Sequence, residues 1–365
     1  MNKVIFTADD FGVIPSVNAG ITDLVNRGLI NSVEIFTNYH KTVENVHQLL
    51  NDTHGANFEL GAHLTITSGR PISGASGLDA ILDEGSFKPF NKTNSRATDE
   101  AIYTEIKAQI DRIMDVPEFR DRITHITCHH DALWFFPEYT KQLARVSKEY
   151  NFPVRNPRSY PSKRDKLYYT VVLPLLKTFS FTREDVSLLK DAYKLRKDGY
   201  FPNQNLNFRA PDYMDSRHYG PIPGKVISPY DKADWILKKQ KSLTKMLRKA
   251  GNSGGKDEDQ LIEFMFHFRK GKLDGGFKTF KEEMDELDYA GINHKYFDSR
   301  TIEFESLRFY EEKIKALIGT KFELGSWTDS SVKTLKKKNV DWAEEVVKGK
   351  AGRGKKARKV RPREA

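Results

Sequence analysis

The feature that most constrains this chain is a repeated order: an apolar, β-prone run, a reactive polar side chain at its end, and then a helical pattern. Three such runs are residues 4–6 before Asp9 and Asp10, residues 58–64 with His63, and residues 123–128 before His129. Alternating strands and helices favour a parallel α/β fold. The carboxyl ends of parallel strands share one edge, where active sites of barrels and open α/β sheets are built. We therefore expect these side chains to lie close together.

Helical patterns separate the strands. Ser16 is expected to cap a first helix that ends at Gly28, and a second helix should begin near Asp99. Pro137 suits the first turn of a third helix. A helix is also expected over residues 232–250, within a Lys-, Tyr-, Pro- and Asp-rich part.

The C-terminal third repeats the strand and helix patterns. Residues 263–268 are strand-like, and a helix after Arg300 should end at Gly319. Residues 322–327 are the last expected strand. The predicted organisation is one domain over residues 1–330, with an atypical, insertion-rich part at 156–260 and a tail at 331–365.

Bulk properties exclude several classes of protein. The longest apolar runs are far too short to span a membrane. The only cysteine, Cys128, cannot form an intramolecular disulfide, which fits a reducing compartment. No secretory signal is visible after Met1, so we expect a cytoplasmic protein.

The positive charge is concentrated in the tail. The net charge is +10, but residues 331–365 contain 13 Lys or Arg and 4 Asp or Glu, which leaves about +1 for the rest of the chain. The basic tail is expected to be disordered. Two interpretations stay open: a solvated charged terminus, or a segment for nuclear targeting or nucleic-acid contact.

Asp9 and Asp10 are adjacent at a strand end. Two neighbouring carboxylates ionise together only if a cation or hydrogen bonds compensate their repulsion. One could ligate a metal while the other takes a proton from bound water. The competing interpretation is a turn or a helix cap, but the placement in Ala8-Asp9-Asp10-Phe11-Gly12 after an apolar strand is more specific than that.

The histidines can be ranked by position. His63 and His267 each lie in an apolar, strand-like segment, where a buried structural role is the competing interpretation. His125 and His129 would be about 13 Å apart on a strand and could not share an ion. His129 is nearer the active edge, so we choose it as the ligand and expect His125 to be structural.

A carboxylate and two imidazoles leave open positions on a metal for water and substrate. That ligand set is typical of a catalytic site rather than a structural one. The ion would lower the pKa of its water and polarise a carbonyl. A second carboxylate would act as base, and His267 is a candidate general acid.

The motifs resemble those of the YdjC-like family of carbohydrate deacetylases, which includes the ChbG chito-oligosaccharide deacetylases. The most specific segments are Ala8-Asp9-Asp10-Phe11-Gly12 and Val17-Asn18-Ala19-Gly20-Ile21. Further matches are residues 60–65, 68–71 and 124–130, with weaker ones around Arg155, His267 and Arg300.

This resemblance implies a TIM-barrel-like (β/α) barrel that hydrolyses N-acetyl groups of amino sugars or chito-oligosaccharides. It implies a divalent metal, commonly magnesium, with zinc, manganese and cobalt as alternatives; a homodimer is also plausible. By position, Asp10, His63 and His129 would be the ligands. Asp9 would be the general base and His267 the acid. Arg155 and Arg300 would bind substrate or support the site.

The chain departs from the family pattern near His129. Thr127 stands where the family often has an aspartate, and Asp131 and Leu133 replace two further histidines. Phe268 replaces the proline after His267. These changes keep two alternatives open: a metal-dependent hydrolase of a phosphoester or another amide, and a catalytically impaired carbohydrate-binding homologue.

Overall fold

The fold is given by a computed structural model. The residues that it describes are 1–53, 55–88, 96–157, 209–211, 213–215, 247–248, 259–270, 297–329 and 332–334. Most of the expected insertion and tail lies outside these residues, as does the helix predicted over residues 232–250 except for Leu247 and Arg248, which are helical.

A seven-stranded sheet forms the centre of the molecule. Six strands lie in the order β6-β3-β2-β1-β9-β8, and β10 pairs with the start of β1. Every pairing in this sheet is parallel. The strands among the described residues are β1 (Lys3–Phe11), β2 (Ser32–Phe36), β3 (Glu59–Leu64), β4 (Leu82–Asp83), β5 (Ser86–Phe87), β6 (Ile123–Cys128), β7 (Arg209–Ala210), β8 (Tyr213–Asp215), β9 (Leu261–His267), β10 (Glu323–Leu324) and β11 (Lys333–Thr334).

The helices follow the strands much as the sequence predicts. Those with both ends inside the described part of the chain are α1 (Pro15–Asn26), α2 (Thr42–Asp52), α3 (Asp99–Met114), α4 (Pro117–Arg120), α5 (Pro137–Tyr150), α6 (Phe297–Phe309) and α7 (Glu311–Leu317). Asp99 and Pro137 begin helices as expected, and Gly28, with φ of +67°, follows α1. Strand and helix alternate from β1 through β3, which is the pattern of a parallel α/β fold.

Three details of the sequence prediction were wrong. Ser16 is not the helix cap, because Pro15 takes the first helical position and Ile14 precedes it. The helix near Arg300 begins upstream of that residue and is divided at Tyr310. Within residues 322–327 only β10 is a strand.

The sheet is curled into a half-barrel. Val154 lies beside β6 through a bridge to Ile126, at one edge of the sheet. The next residue, Arg155, nevertheless bonds to Asp9 of β1 and Glu263 of β9, beyond the middle of the strand order. A side chain can make that reach only if the sheet curls, an arrangement consistent with a TIM-like barrel.

The two faces of the curled sheet differ in chemistry. Residues that alternate along β1, β2, β3, β6 and β9 toward the helices are mostly aliphatic or aromatic, and these belong to one large core. The opposite, inner face carries polar residues and a glycine: Asp9, Glu34, Gly61, His63, His125, Thr127, Glu263 and His267. The inner face therefore supplies chemistry, while the outer face supplies most of the hydrophobic stabilisation.

The amino-terminal end of the half-barrel is closed by an aromatic side chain. Trp327 is fully buried with Ile5 and Leu261. Its indole stacks on the ring of His125, with centroids 4.0 Å apart and planes 5° from parallel, and its N–H donates to Ser32. Polar groups of the inner face are thereby shielded from below.

Among the described residues, no helix combines the length and the apolar content needed to cross a membrane.

Gly61 should be irreplaceable in β3. A Cβ at this position would lie 1.9 Å from Oε2 of Glu34 and 2.4 Å from Nε2 of His125, both fully buried. We expect Gly61→Ala to lower the free energy of unfolding by about 3 kcal/mol, the upper part of the usual range for overpacking. Denaturant unfolding measures this loss. An unchanged midpoint would contradict the packing described for this face.

Candidate metal centre

The reactive side chains gather at the carboxyl-terminal rim of the half-barrel. Asp9 lies opposite His267 in the register of β1 and β9. His63 is the last but one residue of β3, and His129 follows directly after β6. Because these strands are parallel, their carboxyl ends coincide, as the order of motifs in the sequence predicts.

The backbone of Asp10 allows two consecutive aspartates to face the same site. Neighbouring residues of a regular strand point to opposite faces. Asp10 has φ of +70°, and the pairing of β1 with β2 shifts register between Ala8 and Phe11. As a result both carboxylates lie 4.0 Å from Nε2 of His267. The left-handed conformation costs on the order of 1 kcal/mol for a residue other than glycine, and such strain is typical of functional sites.

Three electron-rich atoms converge beside Asp10. Its Oδ1 lies 3.4 Å from Nε2 of His63 and 3.2 Å from Nδ1 of His129, and these two nitrogens are 3.2 Å apart. All three residues are buried. The ring of Phe36 packs edge-on against both imidazoles, with centroid distances of 5.2 and 4.7 Å.

These atoms fit a metal ion. Ligands about 2.1 Å from one ion stand roughly 3.0 to 3.4 Å from each other, the spacing seen here. Oδ1 of Asp10 is buried and accepts no well-formed hydrogen bond, although both nitrogens are near. A single proton can serve only one pair of the three atoms, whereas a cation serves all of them. The described residues thus place Asp10, His63 and His129 together as a group that can hold an ion.

Asp10 is held ionised. Burial opposes its ionisation, but the guanidinium of Arg300 and the ring of His129 keep its pKa well below the usual range. Arg300 donates to Oδ2 of Asp10 at 2.7 Å, which leaves Oδ1 turned toward the histidines. The sequence-predicted Arg300 therefore reaches the site through a ligand candidate.

The carboxylate of Asp9 forms a bidentate salt bridge with Arg155. Two guanidinium nitrogens of Arg155 donate to the two oxygens of Asp9, both at 2.7 Å. The same guanidinium donates twice to Oε1 of Glu263, at 2.7 and 2.9 Å. Arg155 is only 1% exposed, so this bidentate contact fixes the orientation of Asp9 in a buried place.

His267 lies at the entrance to the group and is partly exposed. Desolvation lowers its pKa to about 4, against the opposing effect of Asp10, so its ring is neutral near pH 7. Its backbone N–H donates to Glu303. It is close to both aspartates but is not one of the three converging residues.

A chain of buried polar groups lies behind His63. Nδ1 of His63 is 2.8 Å from the hydroxyl of Thr127, and that hydroxyl donates to Oε2 of Glu34 at 2.8 Å. Oε1 of Glu34 faces Nε2 of His125 at 2.7 Å. His125 thus lies on a strand and outside the converging group, in keeping with the structural role expected for it.

Sequence reasoning missed Glu34 and the role of Thr127. A signal for Glu34 was available, because a lone carboxylate between Val33 and Ile35 in an apolar strand is rarely buried without a partner. Nothing local in the sequence indicates which partner it takes. For Thr127 the sequence indicated only a departure from the family pattern.

Comparison with known proteins gives one family. A family model described as YdjC-like protein matches residues 3–308. A carbohydrate deacetylase of Clostridium beijerinckii is 29% identical over 155 residues, 42% of this chain and 60% of that protein. A carbohydrate deacetylase of Vibrio campbellii is 31% identical over 155 residues, 42% of this chain and 58% of that protein. The matched part of each relative is therefore less than two thirds of its length.

A solved structure supports the fold. It is a protein of Enterococcus faecalis V583 named for a suggested role in cellobiose-phosphate cleavage. The TM-score is 0.57 at 22% identity, and the match covers 90% of this chain and 98% of the other. At that identity the likeness concerns the fold alone.

Removing either imidazole should abolish metal retention. With His63→Ala or His129→Ala only two of the three converging ligands remain, so we expect the affinity for Co²⁺ to fall at least about 100-fold. Competition with a chromogenic chelator measures it. His40→Ala, which changes an exposed histidine, is the matched control. Wild-type affinity in both ligand variants would refute the assignment of the site.

Metal binding should release protons. Burial disfavours the protonated ring of His63, but Asp9 and Asp10 more than compensate and raise its pKa. An ion needs the deprotonated nitrogen, so affinity should weaken as the pH falls through this raised pKa. Titration calorimetry in buffers of different ionisation enthalpy counts the released protons. A proton count of zero near neutral pH would contradict this linkage.

Proposed function

Because the chain belongs to the YdjC-like protein family, we propose that it is a metal-dependent hydrolase that removes the N-acetyl group of an amino sugar or chito-oligosaccharide. The observation that carries the proposal is the buried convergence of Asp10, His63 and His129, next to a second carboxylate on Asp9. The two relatives named carbohydrate deacetylase support the choice of reaction.

We assign Asp10, His63 and His129 to a divalent ion. The family resemblance favours magnesium, whereas a donor set of two imidazoles and one carboxylate also suits zinc, manganese or cobalt. When bound, such an ion acidifies a water and polarises the amide carbonyl. Arg300 keeps the second oxygen of Asp10 occupied and so directs Oδ1 to the ion.

Asp9 is proposed as the general base. Its oxygens each accept one bond from Arg155 and retain lone pairs for the proton of the attacking water. Arg155 fixes the carboxylate of Asp9, so of the two roles expected for it, substrate binding and support of the site, we assign support. Arg300 is assigned to support of Asp10 together with substrate contact.

His267 is proposed as the general acid. A ring with a pKa of about 4 carries no spare proton at neutral pH, so it must gain one during the reaction. Asp9, 4.0 Å away, has just taken a proton from the water and can supply it. The protonated ring then donates to the leaving amine, which restores both groups.

Two other functions stay as competitors. The altered residues Asp131 and Leu133 favour a different bond, such as a phosphoester or another amide. A carbohydrate-binding protein without turnover would keep the fold but has no need of Asp9. Both are separated from the proposal by one substrate panel.

Loss of the base should remove turnover and leave the metal in place. We expect Asp9→Asn to lower kcat for acetate release from diacetylchitobiose by about 10² to 10⁴-fold, while Co²⁺ affinity changes little. Coupled detection of acetate measures the rate. Asp83→Asn, at an exposed position, is the control.

The panel decides between the functions. It contains chito-oligosaccharides, monomeric N-acetylglucosamine and a phosphomonoester, each with Mg²⁺, Mn²⁺, Co²⁺ and Zn²⁺. Acetate release that depends on Asp9 supports the deacetylase. Phosphate release without acetate, or sugar binding without any turnover, would replace it by the corresponding competitor.

A further inference from the structure

We propose that Glu34 is a positioning residue that acts through Thr127 to fix the proton of His63 on Nδ1, and so keeps the Nε2 lone pair for the ion. The inference rests on the metal site of the proposed function and extends it to the opposite side of the ligand. Glu34 does not touch the three converging atoms. Two hydrogen bonds connect it to His63, and the hydroxyl of Thr127 takes part in both.

The hydrogens that each group can donate determine where the proton of His63 lies. The hydroxyl of Thr127 has one hydrogen to donate. An ionised carboxylate only accepts, so the hydrogen of Thr127 goes to Oε2 of Glu34. The oxygen of Thr127 can then only accept from His63, whose Nδ1 lies 2.8 Å away. Nδ1 must carry the proton, and in the neutral ring Nε2 is left unprotonated.

The charge of Glu34 is secured from its other side. Burial disfavours the carboxylate, but the ring of His125 and its hydrogen bond lower the pKa of Glu34 to about 2. Oε1 of Glu34 lies 2.7 Å from Nε2 of His125. It also accepts a hydrogen bond from the hydroxyl of Ser32 at 3.0 Å. Oε2 is therefore directed to Thr127. This fixes the direction of donation in the relay, which runs from His63 through the hydroxyl of Thr127 to Glu34.

The relay is held rigidly. Glu34, Thr127 and His125 are each fully buried. Gly61 leaves the space in which the carboxylate of Glu34 lies, and Trp327 stacks on His125 below it. A buried, fully bonded network of this kind specifies one arrangement of hydrogens, because each alternative leaves a buried polar group without a hydrogen-bond partner.

The first experiment removes the hydroxyl. Thr127→Val keeps the shape of the side chain but cannot relay, whereas Thr127→Ser keeps the hydroxyl. We expect Co²⁺ to bind 10- to 100-fold more weakly to the valine variant, the usual effect of losing a partner behind a ligand, and within about threefold of wild type to the serine variant.

The second readout observes the tautomer without any metal. Long-range ¹H–¹⁵N spectra of the metal-free protein, above the titration of His63, distinguish a proton on Nδ1 from one on Nε2. We expect Nδ1–H in wild type and Thr127→Ser, and a substantial Nε2–H population in Thr127→Val. An Nε2–H form in wild type, or an unchanged tautomer in Thr127→Val, would overturn the relay.

A double-mutant cycle tests whether Glu34 acts through Thr127. Glu34→Gln removes the charge and should weaken Co²⁺ binding in the wild-type background but add little in the Thr127→Val background. Equal effects in both backgrounds, or none in either, would show that Glu34 does not work through Thr127. If either variant fails to fold, the wild-type and Thr127→Ser spectra still decide the position of the proton.

Failure of the relay can be told from failure of the proposed function. If wild type binds no divalent ion, or binds one without releasing acetate, the metal site or the reaction is rejected, while the spectra still report the tautomer. If wild type is active and Thr127→Val matches it in affinity and tautomer, only the relay is rejected.

Discussion

One buried guanidinium connects the parts of this site. Arg155 leaves the sheet edge beside β6 and bonds to carboxylates on β1 and β9. Breaking a buried ion pair by removing one partner usually costs about 3–5 kcal/mol, because the remaining charge is uncompensated. Without Arg155, the buried carboxylates of Asp9 and Glu263 would lie near each other with no cation to compensate their charges. The curl of the sheet and the orientation of the proposed base therefore depend on the same side chain.

The half-barrel separates stability from chemistry by its two faces. The outer face buries aliphatic and aromatic residues against helices, and this face can support an inner one that is unfavourable on its own. Inside, Glu34, His125, Glu263 and Arg155 are charged or polar groups without access to water. They are tolerated because each has a specific partner, and those partners fix directions as well as energies.

The sequence predicted what depends on local pattern. Strand runs that end in Asp10, His63 and His129 indicated the converging rim, because parallel strands must end together. The pattern could not indicate the left-handed backbone of Asp10, which follows from its register with β2. It also could not indicate that Arg155 binds Asp9, since the two residues are 146 positions apart in the chain and no local pattern links them. The division of the helix at Tyr310 was missed because the apolar stripe of the sequence continues across that break.

Thr127 shows why a departure from a family pattern is hard to interpret from sequence. A threonine in place of a carboxylate behind a metal ligand suggests a lost negative charge. In the fold, Glu34 on β2, which is separated from the strand of Thr127 by β3, stands behind that threonine, 2.8 Å from its hydroxyl. The negative charge is still present, one hydrogen bond further away, and the glycine opposite leaves room for it. In the proposed relay the hydroxyl adds a constraint that a carboxylate in direct contact would not, because a single hydrogen can be given in only one direction. The surroundings of His63 are therefore rebuilt rather than removed, and the departures from the family pattern that follow His129, Asp131 and Leu133, have no such compensation in this network.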